Sequence, residues 1–175
     1  MIEHRFFAEH FVTPIGTMLL ATDAEGHVRA LDWEDYAARM HRLLRLQYGT
    51  VRLEPKDGVS PARQAMEAYF DGALGAIDSL SVKTGGTEFQ RTVWAALRTI
   101  QAGTTTTYGN LAVRLGQPRA MRAVGTANGA NPVGIIVPCH RVIGANTALT
   151  GYGGGIERKR WLLRHEGALP IQDQL

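Results

Sequence analysis

What this sequence has little of narrows its reading first. It holds a single cysteine, so no disulfide can close within the chain, and its six histidines show no paired spacing with other ligands, which excludes the usual structural zinc patterns. No apolar run approaches the roughly 20 residues that span a bilayer, and residues 1–7 lack the apolar stretch of a secretory signal. The expected location is cytoplasmic. There is no glycine-rich nucleotide loop and no metal-ligand set, so no cofactor is expected. Acidic residues are scarce in one half only. Residues 1–84 carry 9 Lys+Arg against 12 Asp+Glu, whereas residues 85–175 carry 10 against 4, so a polyanion would meet the second half. The cluster Arg158-Lys159-Arg160 is equally consistent with an ordinary solvated helix face.

What is present, at 175 residues and 45% hydrophobic, suffices for one domain or two small ones. The N-terminal third alternates short β-like runs near 6–12, 18–22 and 28–33, divided by the turn signals Thr13-Pro14-Ile15-Gly16 and residues 23–27, which predicts an antiparallel meander. Residues 35–48 place Tyr36, Met40, Leu43 and Leu44 near one helical face, stopped by Gly49. Ser60-Pro61 predicts a second, shorter helix ending at Gly72. Lys83-Thr84-Gly85-Gly86 marks a boundary between a structural domain, 1–84, and a second domain, 85–175. The expected class is α+β: an α/β N-terminal domain with a small antiparallel sheet and helices, then a mostly helical C-terminal domain.

Thr87 and Gln90 form a capping-box pattern opening a helix that turns Phe89, Val93, Trp94, Leu97 and Ile100 inward. Thr107 caps a helix over 108–115, Gly116 closes it, and Gln117-Pro118 opens another that runs to Ala130. Helix, short turn, helix is a helix-turn-helix pattern, though antiparallel helix pairs share it. The second of these helices is rich in small residues, Ala120, Ala123, Gly125, Ala127, Gly129 and Ala130, and each glycine costs about 1 kcal/mol of helix stability relative to alanine. Such a surface lets a partner's backbone approach closely. Arg122 is its long side chain besides Met121. Residues 135–137 read as a short buried strand ended by Pro138, and residues 157–165 as a final helix after a Gly-rich loop over 144–155.

The sole cysteine, Cys139, stands between this apolar run and His140. A thiol with a pKa near ~8.5 is mostly protonated at neutral pH and needs a base or a positive field to become a nucleophile. His140 and Arg141 offer both, and Glu166 offers a carboxylate that would orient the imidazole, although an ordinary exposed carboxylate fits that position equally. A lone cysteine is also often merely a small buried apolar residue.

Asn131-Pro132, Pro138-Cys139-His140-Arg141-Val142, Gly151-Tyr152 and Leu163-Arg164-His165-Glu166-Gly167 together resemble the O6-alkylguanine-DNA alkyltransferases. The similarity extends from about Gly85 to Gly167 and includes Thr87-Glu88-Phe89-Gln90, Val93-Trp94, Tyr108-Gly109 and Arg122-Ala123-Val124-Gly125. It is looser over residues 1–84. The resemblance implies a DNA-repair protein, monomeric in solution, that takes the alkyl group from O6-alkylguanine, and from O4-alkylthymine, in double-stranded DNA onto Cys139 in a single turnover. It implies that His140 accepts the thiol proton through a water, that Glu166 holds the imidazole, and that Tyr108 bonds the guanine. It also implies that Arg122, Ala123, Gly125, Ala127 and Gly129 face the minor groove, with Arg122 filling the space of a flipped nucleotide. Val142, Tyr152 and Gly153 would line the base pocket, and Asn131 would be a structural hinge. Many relatives carry serine where Gly153 stands, so a side-chain hydroxyl bond to the base is missing here. Some relatives bind zinc near the N-terminus; the cysteines for it are absent. Cys, His and Glu would equally serve a Cys-His hydrolase turning over many times, and the helix pair alone would serve a DNA-binding regulator without chemistry.

Overall fold

The computed structural model describes residues 2–145, 149 and 151–169. The chain divides into two compact units, Met1–Gly86 with Pro132–Ile136 and Thr87–Asn131 with Val137–Leu175. The second thus starts two residues beyond the boundary expected from the glycines, and the first recruits a segment from far along the chain. Among the described residues no helix is long and apolar enough to cross a membrane.

The first unit is organised on a four-stranded sheet. Strands β1 (His4–Thr13), β2 (Gly16–Thr22) and β3 (Val28–Trp33) form the expected antiparallel meander, with Phe11 opposite Met18 and Leu20 opposite Leu31. The central strand β2 is buried from Met18 to its end, which is why its sequence is almost continuously apolar rather than alternating. A short 3₁₀ turn, Glu34–Tyr36, precedes α1 (Ala37–Tyr48), so the α-helix proper begins two residues after the expected start. Met40 and Leu44 of α1 pack on Phe6, Leu19, Ala21 and Ala30. Gly49, at φ 77°, ends the helix in a conformation that side chains disfavour. The returning chain adds β4 (Val51–Pro55) parallel to β1, giving the order β3-β2-β1-β4. That makes the sheet mixed rather than purely antiparallel. Helix α2 (Pro61–Phe70) starts as its sequence requires, with Ser60 Oγ accepting from Arg63 N at 3.1 Å. The hydroxyl also donates to the buried carboxylate of Glu9, 2.5 Å away, so one serine ties the helix start to β1.

The second unit opens with the capping box: Gln90 N donates to Thr87 Oγ1 at 3.1 Å and Thr87 N to Gln90 Oε1 at 2.9 Å. Such caps are worth about 1 kcal/mol each. Helix α3 (Glu88–Leu97) buries Val93, Trp94 and Leu97. The Trp94 indole N–H donates to Ala127 O of α5 at 2.9 Å. Strand β5 (Thr106–Thr107) leads into α4 (Tyr108–Arg114), capped by Thr107 as expected. Helix α5 (Met121–Gly129) begins four residues after the expected Gln117. The reason is that Gln117 is still engaged in closing α4: its N–H bonds Ala112 O at 2.9 Å while Gly116, at φ 72°, bonds Val113 O.

A second correction falls at residues 135–137, which form no strand. Ile135 takes φ 68° in a tight turn, and Ile136 N bonds Gly134 O at 2.8 Å. The strand-like pairing lies earlier, at Val133, where Leu31 N donates to Pro132 O and Gly134 N to Leu31 O, both at 2.9 Å. Burial makes a run of β-branched residues apolar whatever its backbone does, so composition alone could not separate the two. After a 3₁₀ turn at Cys139–Arg141, β6 (Val142–Ile143) pairs parallel to β5. Helix α6 (Ile156–His165) packs Leu163 on Ile143 and Leu149. Of the Gly-rich loop over 144–155, positions 146–148 and 150 lie outside the described residues.

Candidate active site

The turn that carries Cys139 is held by main-chain bonds and by asparagines from α5 and its end. Cys139 N bonds Val137 O at 2.8 Å, and Arg141 N bonds Pro138 O at 3.0 Å. Asn131 Nδ2 donates to Val137 O at 2.8 Å, tying the end of α5 to the residue two before the cysteine, and Asn128 Nδ2 reaches Cys139 O at a long 3.5 Å. Cys139 is half-buried.

The next two side chains are buried within the unit. His140 is fully buried, Arg141 is 5% exposed and Glu166, just past α6, is 5% exposed. His140 Nε2 lies 2.9 Å from Glu166 Oε2. Arg141 grips the same carboxylate with two bonds, Nε to Oε1 at 2.9 Å and Nη2 to Oε2 at 2.8 Å, and its Nη1 donates to Ile100 O at 2.6 Å. Burial alone would raise the Glu166 pKa, but the adjacent imidazole and guanidinium more than offset it and hold the carboxyl well below the usual carboxylate range. An ionised carboxylate only accepts, so Nε2 carries the ring proton. Burial pushes the His140 pKa down against the pull of Glu166, with Arg141 and Lys159 adding to the lowering, so the imidazole rests neutral. Its Nδ1 is buried without a hydrogen-bond partner among the described residues and therefore keeps a lone pair for a proton.

One residue of the site was missed in the sequence, where it looked like part of a solvated basic cluster. Lys159, on α6, is fully buried, and its Nζ donates to Val142 O at 2.6 Å. Burial lowers its pKa to about 8 and the Cys139 charge pulls the other way, so the two groups share one electrostatic environment. A clue existed in the helical spacing: Lys159 sits between Ile156 and Leu162-Leu163, on the face that α6 buries.

A family model for the DNA binding domain of 6-O-methylguanine DNA methyltransferase matches residues 88–168. The methylated-DNA--protein-cysteine methyltransferase of Salmonella typhimurium is 50% identical over 167 residues, covering 94% of this chain and 98% of that protein. The chain belongs to the methylated-DNA--protein-cysteine methyltransferase family. A member from Methanosarcina acetivorans is 44% identical over 158 residues, 90% of this chain and 96% of its own length. The crystal structure of the Mycobacterium tuberculosis O6-methylguanine methyltransferase superposes with a TM-score of 0.75 at 40% identity, covering 96% of each chain. The Mycobacterium tuberculosis protein in complex with DNA gives 0.71 at 36% identity, covering 94% of this chain and 93% of that one.

The residues singled out in this methyltransferase-family sequence lie in several places. Cys139, His140 and Glu166 are assembled around one turn, with Arg141 and Lys159 added. Tyr108 opens α4 and is half-buried, and a Cβ at Gly125 would stand 3.7 Å from its ring, so Tyr108 lies against α5 one turn before Asn128, the residue that reaches Cys139 O. On α5, Arg122, Ala123 and Gly129 are exposed and Gly125 is half-buried. Ala127, by contrast, is 2% exposed and faces the core, where its carbonyl takes the Trp94 indole. Val142 is fully buried, Tyr152 half-buried and Gly153 exposed. Tyr152 O accepts from Gly155 N at 2.9 Å, forming the turn into α6.

Proposed function

We propose that this protein repairs double-stranded DNA by moving the alkyl group of O6-alkylguanine, and of O4-alkylthymine, onto Cys139 once per protein molecule. The observation that carries the reading is a half-buried cysteine on a turn held by main-chain bonds and Asn131, followed by a buried, neutral imidazole whose Nδ1 can take a proton. The thiol proton passes to His140 Nδ1, directly or through a water, and the resulting imidazolium is stabilised by Glu166, which Arg141 keeps ionised. The buried Lys159 ammonium supplies a fixed positive charge to the thiolate.

The sulfur attacks the alkyl carbon in line; the S–C bond forms as the C–O6 bond breaks, and guanine departs with the electron pair. Tyr108 donates a hydrogen bond to the departing base. A thioether is neither hydrolysed nor a good leaving group, so the site is spent after one event. The exposed small-residue face of α5, with Arg122 as its long cation, suits a minor groove, Arg122 filling the gap of the flipped base. Unit boundaries near Gly86 and a cytoplasmic setting belong to the same proposal.

With one equivalent of O6-methylguanine duplex, the intact protein is expected to gain one methyl group, mapped to Cys139, and to lose further activity; Cys139→Ala should gain none. Product accumulating beyond one equivalent would establish a hydrolase-like cycle instead.

A further inference from the structure

We infer that Met121 is a second intercalating element, whose thioether packs against the base pair bordering the gap left by the flipped nucleotide, on the side of the gap nearer Tyr108. The inference rests on the reading of α5 as the helix that meets DNA.

Met121 is the first residue of α5 and directly precedes Arg122. It is 52% exposed, and in the second unit only it and Val113 are exposed large apolar side chains among the described residues; both belong to the helix pair. Side chains in the first turn of a helix lean toward its N-terminus, a tendency that brings Met121 and Arg122 to the same end of α5. They stand on different flanks, since successive residues are a hundred degrees apart on the helix. The flank taken by Met121 is defined by its neighbours: a Cβ at Gly109 would lie 3.7 Å from its sulfur, and one at Gly125 would lie 3.7 Å from the Tyr108 ring. Met121 therefore stands over the start of α4, on the Tyr108 side of α5. Around it are Gly109, Ala120, Ala123 and Gly125, none of which can reach into a base stack. A flexible, polarisable, unbranched side chain exposed in such a setting has the chemistry of the apolar wedges by which minor-groove proteins unstack a base step.

The test compares single-turnover methyl transfer from an O6-methylguanine duplex with transfer from the free modified base. For Met121→Ala the ratio of duplex rate to free-base rate should fall about tenfold, as expected from removing an apolar group that becomes buried on binding. Met121→Leu should keep the ratio within about twofold of wild type, while Met121→Gln, of similar length but polar, should fall with the alanine variant. A 2-aminopurine placed next to the lesion should be less fluorescent in the complex of Met121→Ala than in that of the wild type. An unchanged ratio for Met121→Ala, or a retained ratio for Met121→Gln, overturns the inference. Arg122→Ala separates it from the reading beneath: if that variant lowers the ratio and Met121→Ala does not, only Met121 loses its role. If neither variant lowers the ratio, the flipping face itself has been misassigned.

Discussion

Replacing Lys159 by methionine should make the protein more resistant to unfolding at neutral pH and worse at its reaction. The ammonium is fully buried and its pKa has dropped from the ordinary 10.5 to about 8, a cost to the folded state of about 3 kcal/mol while both states are protonated. Below pH 8 that cost is present in full. Between 8 and 10.5 the unfolded chain still holds a proton that the folded chain has released, so wild-type stability climbs with pH. Above 10.5 the cost is gone. Methionine carries no charge to bury, and it lacks the Nζ bond to Val142 O, which is itself stronger from the ammonium than from the neutral amine. The stability of Lys159→Met relative to wild type should therefore fall by about 2.5 kcal/mol between pH 7 and pH 10, measured by urea unfolding at both. At pH 7 the variant's single-turnover rate should be lower by on the order of tenfold, the effect of removing one nearby positive charge from a thiolate. Parallel pH dependences of stability for the two proteins would show that Lys159 does not carry this buried charge.

Two other changes test the same site from different directions. Glu166→Gln leaves an amide where the imidazolium needs a charge, so the midpoint of the pH–rate profile should move upward and the rate at pH 7 should fall, with duplex binding near its original strength; superimposable profiles would reduce Glu166 to a structural role. Gly103→Ala puts a Cβ 3.0 Å from Glu166 O in a residue at φ 88°, and should cost about 1–2 kcal/mol in thermal unfolding and slow transfer by displacing the carboxylate; a change in neither would mean the loop yields freely.

The parts of the fold legible in the sequence were those governed by neighbours along the chain. The meander followed from turn residues between β-like runs, and α2 and α3 from Ser60-Pro61 and the Thr87/Gln90 pair, whose bonds the structure contains. What was not legible depends on partners far away. Strand β4 is recognisable only once β1 is beside it. The run at 135–137 is buried and apolar, and its turn directly follows the pairing of Val133 with Leu31, a partner about a hundred residues earlier. In the site, Cys139, His140 and Glu166 could be named from residue type, but the roles of Arg141 and Lys159 required the side-chain directions. A cation in a basic triplet looks solvated until the face it occupies is known.

The pairing at Val133 bears on how the protein comes off the ribosome. Strand β3 is the last strand on one side of the sheet, and its free edge is met by main-chain bonds from Ser81 and Lys83 at Val28 and from Pro132 and Gly134 at Leu31. The residues leading into the nucleophile turn thus seal an edge made from the earliest part of the chain. Until they emerge, a nascent chain presents the Leu31 amide and carbonyl to any passing strand, the hazard that unpaired edges carry. The long separation between Leu31 and Val133 also places this contact among those that close slowly in folding. The segment that covers this sheet edge, Pro132 to Gly134, is followed five residues later by the reactive cysteine, so the edge and the nucleophile turn are laid down together at synthesis.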